Sequence, residues 1–169
     1  QLFVLIKNIL YTSSMFGNKG YGFKVNITNT FAMFGDLLHH SYIFESIGNA
    51  VMISAVIIGV LLILFGKFNS NWKLYAIISL FLVMVPGFSY VYSIAYMLIP
   101  LVAFLNEKKT RKSDYIYLLL FILQFGLFIA KKDELFSQFE GSELALNITT
   151  LIESVVLLLM MAMLYLDGI

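Results

Sequence analysis

A long apolar stretch, residues 72–106, is broken near its middle by Pro86-Gly87. If residues 74–105 formed one unbroken helix, that helix would be about 48 Å long at a rise of ~1.5 Å per residue. The hydrocarbon core of a bilayer is about 30 Å thick, and a helix that crosses it usually takes about 20 residues. The stretch is therefore too long for one crossing and short for two. The number of times that it crosses the membrane determines the topology of the chain.

The composition indicates an integral membrane protein. Of the 169 residues, 60% are hydrophobic and only 12% are charged, whereas soluble domains carry about 25% charged residues. We therefore predict an all-α, polytopic integral membrane protein whose first partner is the lipid bilayer. The net charge of +1 excludes a strongly basic nucleic-acid surface. The absence of cysteine excludes disulfides, thiolate nucleophiles and cysteine metal sites.

The apolar runs predict a single transmembrane helical domain over residues 1–169, which we expect to be a fragment of a larger protein. The polar region 11–45 is predicted to be an outer loop that carries one interfacial helix at 31–45. In the run 47–65, small residues including Gly48, Ala55 and Gly59 would let neighbouring helices approach closely. The five predicted membrane spans are 47–65, 74–87, 90–105, 115–130 and 144–166.

The charges of the flanking loops indicate how many times the broken stretch crosses the membrane. The loops 66–73 and 106–114 both contain lysine or arginine, and such loops favour the cytoplasmic side. They share that side only if the broken stretch crosses the membrane twice. We therefore predict a hairpin whose tip, near Pro86-Gly87, lies on the outer face together with residues 11–45 and 131–143.

The residues around this hairpin resemble a known family. The run VPGFSYVYSIAYMLIPLVAFLN at 85–106 contains the pattern Pro-x-Phe-Ser-Tyr-x-Tyr followed by Ile-Pro. It is preceded by Trp72-Lys73 and by KNILYTSSMFGNKGYGFKVNIT at 7–28, and it is followed by a basic loop and Tyr115-Ile-Tyr117. This arrangement resembles the C-terminal half of the GT-C-type membrane glycosyltransferases, specifically glycosyltransferase family 87 and its polyprenyl-phosphate-mannose-dependent relatives.

The resemblance implies transfer of a mannose-like sugar from a polyprenyl-phosphate-linked donor to a lipid or glycan acceptor, at the outer face of a bacterial plasma membrane. In that family the catalytic acidic residue lies in the first outer loop, near the N-terminus of the whole protein. That residue would be missing from a C-terminal part, so the catalytic residue of this chain is unknown. No cofactor is implied, although a divalent metal stays an alternative.

The hairpin tip is the first candidate for a substrate-binding site. A break in a membrane helix exposes backbone groups that only a cavity or covering protein can satisfy. Aromatic rings and hydroxyls suit the apolar and polar surfaces of a sugar. The alternative is a tight outer turn with an interfacial belt of aromatic residues. The candidate substrate-binding residues here are Phe88, Ser89, Tyr90, Tyr92 and Tyr96.

Acidic, histidine and lysine residues supply the other candidates. On one helix, Asp36 would share a face with His39 and His40 and could orient an imidazole as an acid or base. The alternative is that these three residues form the polar face of an interfacial helix. A zinc site would need a third firm ligand, and the stretch does not supply one. Lys131 and Lys132, assisted by Lys24, could hold a lipid phosphate, or they could simply reach toward the interface and pair with nearby acids.

Glu153 is the last candidate, because it falls inside the predicted span 144–166. A carboxylate at such a position is costly and is by default a functional hypothesis. Asn147, Thr149 and Thr150 are its predicted partners, and a purely structural hydrogen bond between helices explains it equally well. Two rival functions also stay open: a transporter or flippase fragment, and a non-catalytic membrane scaffold subunit.

Overall fold

The computed structural model describes residues 24–87, 89, 91–107, 112–130 and 143–168. This part of the chain is helical and contains no β-strand, which confirms the all-α prediction. A 3-10 helix over Val91–Met97 lies between the third and fourth α-helices. The α-helices are α1 (Ile27–Leu37), α2 (Ser41–Phe65), α3 (Asn71–Met84), α4 (Leu98–Asn106), α5 (Lys112–Ala130) and α6 (Glu143–Gly168).

The broken apolar stretch folds back on itself. Helix α3 ends just before Pro86, which has no N–H to continue the helical hydrogen bonds. The Trp72 ring, at the start of α3, contacts the Phe104 ring, near the end of α4, with 4.9 Å between the ring centroids. Both ends of the stretch therefore lie together, and the Pro86-Gly87 turn is at the opposite end.

The returning arm of this hairpin combines two helix types. The 3-10 helix rises about 2 Å per residue and α4 about 1.5 Å, so together they extend about 27 Å. Pro100 lies in the first turn of α4, where its missing N–H is tolerated. The same residue cannot donate an α-helical hydrogen bond to the carbonyl of Tyr96, which is consistent with the 3-10 geometry that precedes it.

Small residues let α2 pack closely against its neighbours. A Cβ atom at Gly59 would lie 2.7 Å from the hydroxyl oxygen of Tyr165 on α6, and it would overlap the Phe81 ring of α3. The same hydroxyl donates a hydrogen bond of 2.7 Å to the carbonyl of Ala55. Gly48 and Phe31 bring α2 equally close to α1. The predicted close approach is thus present at Gly48, Ala55 and Gly59.

The predicted surface helix over 31–45 is wrong in its bounds. Helix α1 begins earlier, at Ile27, because Asn26 caps it by accepting a hydrogen bond from the Asn29 N–H at 2.8 Å. It ends at Leu37, and His39 has a φ of 56°, in the left-handed region that interrupts a helix. Residues 41–45 belong instead to the long helix α2.

Two of the described helices are long and apolar enough to cross a membrane, by length and composition alone. They are Tyr42–Phe65 and Thr149–Gly168, with 24 and 20 residues. The shorter apolar helices are Asn71–Met84, Ser93–Asn106 and Ser113–Leu127. At ~1.5 Å per residue α3 reaches only about 21 Å, so the five predicted membrane spans are not confirmed.

Candidate functional site

Polar groups, most of them buried, form three clusters in the helical bundle. The first, which we name the turn end, contains the buried side chains of Asn26 and Ser89 and the exposed turn residue Gly87. The second, the carboxylate layer, contains Gln124, Thr150, Glu153 and Ser154. The third, the ion-pair end, contains Lys73, Tyr117 and Asp167. Helix α6 joins the last two, because Glu153 precedes Asp167 by about 21 Å of helix.

At the turn end, the segment before α1 binds the hairpin turn. The Val25 N–H donates to the carbonyl of Ser89 at 3.0 Å, and the Asn26 side-chain amide donates to the carbonyl of Gly87 at 3.3 Å. The Ser89 N–H in turn donates to the carbonyl of Pro86 at 3.1 Å. These bonds satisfy backbone groups that the proline break would otherwise leave exposed.

These hydrogen bonds between the segment before α1 and the hairpin turn bring together two of the residues that the sequence proposed for substrate binding. Lys24 immediately precedes Val25 and is half-buried, and Ser89 is buried with no hydrogen-bond partner for its hydroxyl oxygen. Tyr96, by contrast, is about half exposed on the 3-10 helix. The backbone of Tyr92 belongs to the same helix, but its side chain lies outside the described residues, as do Phe88, Tyr90, Lys131 and Lys132.

Asp36, His39 and His40 do not share a helical face, so the geometry predicted for them is wrong. Helix α1 ends at Leu37, between the acid and the two histidines. The His39 N–H donates to the main-chain carbonyl of Asp36 at 3.3 Å, and His40 begins α2 without a side-chain cap. All three side chains are exposed. They lie where α1 turns into α2.

Glu153 is completely buried, at 0% exposure. Its carboxylate accepts a hydrogen bond of 3.4 Å from the side-chain amide of Gln124 on α5. The sequence suggests Asn147, Thr149 and Thr150 as partners. The Asn147 side chain lies outside the described residues, and Thr150 is buried one turn before Glu153 on the same face of α6. Gln124 was missed, although it is the one polar side chain in the otherwise apolar segment 118–130, and this was the signal that could have found it.

Two further oxygens in the carboxylate layer are buried without partners. They are the amide oxygen of Gln124 and the hydroxyl oxygen of Ser154, which follows Glu153 on α6. Both residues have no solvent exposure. Buried polar atoms are nearly always hydrogen-bonded, so these two oxygens are exceptions to the usual pattern.

The ion-pair end was not predicted from the sequence. The Lys73 ammonium lies 2.6 Å from the Asp167 carboxylate, and the Tyr117 hydroxyl donates to the same oxygen at 3.0 Å. The ammonium also lies 5.7 Å and 5.6 Å from the ring centroids of Trp72 and Tyr117. The Asp167 carboxylate and the two rings compensate the buried charge of Lys73, and the Tyr117 hydroxyl holds the same carboxylate, so this layer connects α3, α5 and α6.

The described residues contain no group of three or more histidine, cysteine or acidic side chains that could hold a metal ion. Of the site residues proposed from the sequence, Lys24 and Ser89 lie at the turn end, Asp36, His39 and His40 are exposed at the α1–α2 junction, and Glu153 is buried in the carboxylate layer. Comparison of the chain with protein-family models, curated proteins and solved structures gives no match.

Proposed function

We propose that this protein is embedded in a membrane as a multi-pass helical bundle. The support is the amount of large apolar surface that faces outward. Ile53, Ile57 and Leu64 on α2 are exposed by 55%, 56% and 66%, and α5 exposes Ile116, Leu119 and Ile122 in the same way. Soluble monomers rarely expose contiguous apolar surface on this scale, whereas a bilayer covers it.

We further propose that the chain is part of a glycosyltransferase that uses a polyprenyl-phosphate-linked sugar donor and a lipid or glycan acceptor. One observation supports a donor site at the turn end: the Val25–Ser89 hydrogen bond joins Lys24 to the hairpin turn from 65 residues away in the sequence. Pro86 and Ser89, which belong to this turn, are also part of the family-like motif Pro-x-Phe-Ser-Tyr-x-Tyr. A cationic side chain beside a turn at a membrane-facing end suits a lipid phosphate.

The chemistry of such a transfer is one displacement at the anomeric carbon. The acceptor oxygen forms a bond to that carbon while the bond to the donor phosphate oxygen breaks, and a base removes the acceptor proton. Polyprenyl phosphate leaves with the bonding electron pair, and cationic groups stabilise its charge. In this proposal Lys24 binds the departing phosphate. The base is either one of the exposed side chains Asp36, His39 and His40 or a carboxylate outside the described residues.

Donor binding tests this proposal. The chain, reconstituted in lipid nanodiscs, is titrated with a radiolabelled polyprenyl-phosphate mannose, and polyprenyl phosphate competes. We expect Lys24→Gln to weaken binding about tenfold, because a charge-assisted hydrogen bond to phosphate contributes about 1.5–3 kcal/mol. Lys67→Gln is the matched control, since Lys67 is exposed in the loop after α2. Equal binding by both variants would contradict a donor site at the turn end.

A second candidate function is a transporter or flippase, and the carboxylate layer favours it. Ionisable groups buried among membrane helices often mark ion or proton pathways. A transporter would move substrate across sealed vesicles without changing it, whereas a transferase in its full-length form would release polyprenyl phosphate and glycosylate an acceptor. A scaffold subunit would do neither and would tolerate Lys24→Gln and Glu153→Gln without loss.

A further inference from the structure

Helix α1 and the hairpin of α3 and α4 meet at the turn end. Val25 and Asn26, just before α1, donate hydrogen bonds to the hairpin turn. Helix α1 then leads away from the turn, and the chain turns back at residues 38–40 into α2, beside which α1 lies. Helix α2 therefore runs past α1 first and past the hairpin afterwards, and contacts along it show how far the hairpin reaches.

Two contacts locate the turn along α2. A Cβ atom on Gly48 would lie 3.4 Å from the Cα atom of Thr28, so the start of α1 is beside Gly48. Farther along α2, Gly59 lies against the ring of Phe81, which precedes the last residue of α3 by three positions. Counted along the helices at ~1.5 Å per residue, both contacts put the turn level with about residues 51–55 of α2.

The charged residues on either side of α2 indicate which part of this helix a bilayer would cover. Between Glu45 and Lys67 the chain has no charged residue. As an α-helix, residues 46–65 extend about 30 Å, which matches the thickness of a hydrocarbon core. If the turn lay at the outer boundary of the membrane, only about 15–21 Å of α2 would remain to cross that core.

We propose that the hairpin of α3 and α4 is re-entrant: it enters the membrane from the side of the ion-pair end, turns inside the hydrocarbon core and leaves on the same side. Helix α1 covers the turn and occupies the outer part of the core. This inference rests on the proposed embedding in a membrane. It moves the turn inward from the outer face, where the loop charges predict it, and keeps both ends of the hairpin on one side.

The hydrogen bonds at the turn end are those that a turn inside hydrocarbon requires. Because lipid offers no water to backbone groups, non-helical backbone at membrane depth must be covered by protein. The Asn26 amide nitrogen donates to the Gly87 carbonyl at 3.3 Å. Its side-chain oxygen accepts from the Asn29 N–H at 2.8 Å and from the Thr28 hydroxyl at 2.9 Å. Val25 and Asn26 are 0% and 1% exposed, whereas a turn at an aqueous surface could leave such groups to water.

The proposal changes where the candidate donor site lies. Lys24 immediately precedes Val25 in the sequence, so its backbone would lie below the outer surface. A lipid phosphate would then reach Lys24 by entering the bundle, or the lysine side chain would extend outward to the interface. The depth of the turn can be measured without any ligand, so the test does not depend on sugar transfer.

Spin labels on single cysteines measure this depth in phosphatidylcholine liposomes. The chain contains no cysteine, so each label has one position. Oxygen concentrates in hydrocarbon and a nickel chelate stays in water, so the collision rates of both with a label give its depth. Ser46→Cys, Ile53→Cys and Leu64→Cys, all at exposed positions of α2, provide the scale. Leu82→Cys, 51% exposed in the last turn of α3, and Tyr96→Cys, 49% exposed on the returning arm, report the hairpin.

We expect the labels of Ile53→Cys and Leu82→Cys to lie about 10 Å deeper than that of Ser46→Cys, with high oxygen and low nickel collision rates. An Ile53→Cys label at the water boundary, together with a Ser46→Cys label in water, would overturn the proposal, because the turn would then lie at the outer surface. A uniform oxygen collision rate along α2 would contradict the membrane embedding itself, and the re-entrant hairpin with it. If Leu82→Cys does not fold, Tyr96→Cys decides, since the same depth is expected of it.

Discussion

At the scale of single residues, the ion pair between Lys73 and Asp167 is unequal in its exposure. The Lys73 side chain is 2% exposed and the Asp167 side chain 26%. Removing one partner of a buried pair leaves the other charge uncompensated, and this penalty grows with the burial of the charge that is left. The two single substitutions should therefore differ in cost although they break the same contact.

We predict that Asp167→Asn is the more destabilising change, at about 3 kcal/mol, because it leaves the deeply buried ammonium without its counterion. Lys73→Met should cost only about 1–2 kcal/mol, since water still reaches Asp167 and the Tyr117 hydroxyl still donates to it. The free energy of unfolding is measured by titration with sodium dodecyl sulfate in mixed micelles.

The double variant Lys73→Met with Asp167→Asn is the control for this prediction. It removes both charges, so it should recover to within about 1 kcal/mol of the parent. Additive losses in the double variant, or a larger loss for Lys73→Met than for Asp167→Asn, would show that the pair does not act as a buried ion pair.

The same residues show what the sequence can and cannot predict. Glu153 stands out because a carboxylate interrupts an apolar run, and it proves to be completely buried. Its partner Gln124 and the pairing of Lys73 with Asp167 depend on which helices become neighbours, over separations of 29 and 94 residues. Periodicity and hydropathy describe each helix alone, so they carry no information about such pairs.

At the scale of elements, the sequence predicts a helix boundary well where a clear local signal, such as a glycine after an apolar run, marks it. The prediction placed the end of the first long span at Phe65, and α2 ends there, at the Gly66 cap. The start of α1 depends instead on the Asn26 cap, and the break between α1 and α2 depends on the backbone of His39. Neither feature interrupts the hydrophobic pattern, and this is why residues 31–45 were predicted as one helix.

Two glycine-to-alanine substitutions should change the stability of the protein in opposite directions. Gly59→Ala would push a methyl group into Phe81 and Tyr165, and we expect it to destabilise the protein by about 1–3 kcal/mol through overpacking. Gly126→Ala is the matched control, because a Cβ atom there meets nothing within 4 Å. It should stabilise α5 by up to about 1 kcal/mol, which is the difference in helix propensity. Thermal unfolding of both variants in the same detergent measures the effects.

Relief of the contact provides a further check on Gly59. If the Phe81 ring is what opposes the new methyl group, Phe81→Leu should cost less in the Gly59→Ala background than in the parent. Independent, additive effects of the two substitutions would mean that α2 and α3 do not approach each other at this point.

At the scale of the whole molecule, the hairpin contact decides what the topology must be if the bundle is embedded in a membrane. Because Trp72 packs against Phe104, residues near both ends of the broken stretch lie at one end of the bundle. Helix α2 reaches that end at Phe65 and begins at the other end, near Tyr42. An exposed residue after α2 and one after α4 should therefore be accessible from the same side, and Tyr42 from the opposite side.

Because the chain contains no cysteine, single cysteines can report this arrangement without background labelling. We predict that Tyr42→Cys reacts with an impermeant thiol reagent from outside intact cells, while Lys67→Cys and Glu107→Cys react only after the membrane is opened. All three positions are exposed, whereas Ser89 at the turn is only 3% exposed and would label poorly from either side.

The basic loops 66–73 and 106–114 set the direction, since lysine and arginine favour the cytoplasmic side. Labelling of Glu107→Cys on the same side as Tyr42→Cys would mean that the broken stretch crosses the membrane once, which the packing of Trp72 on Phe104 forbids.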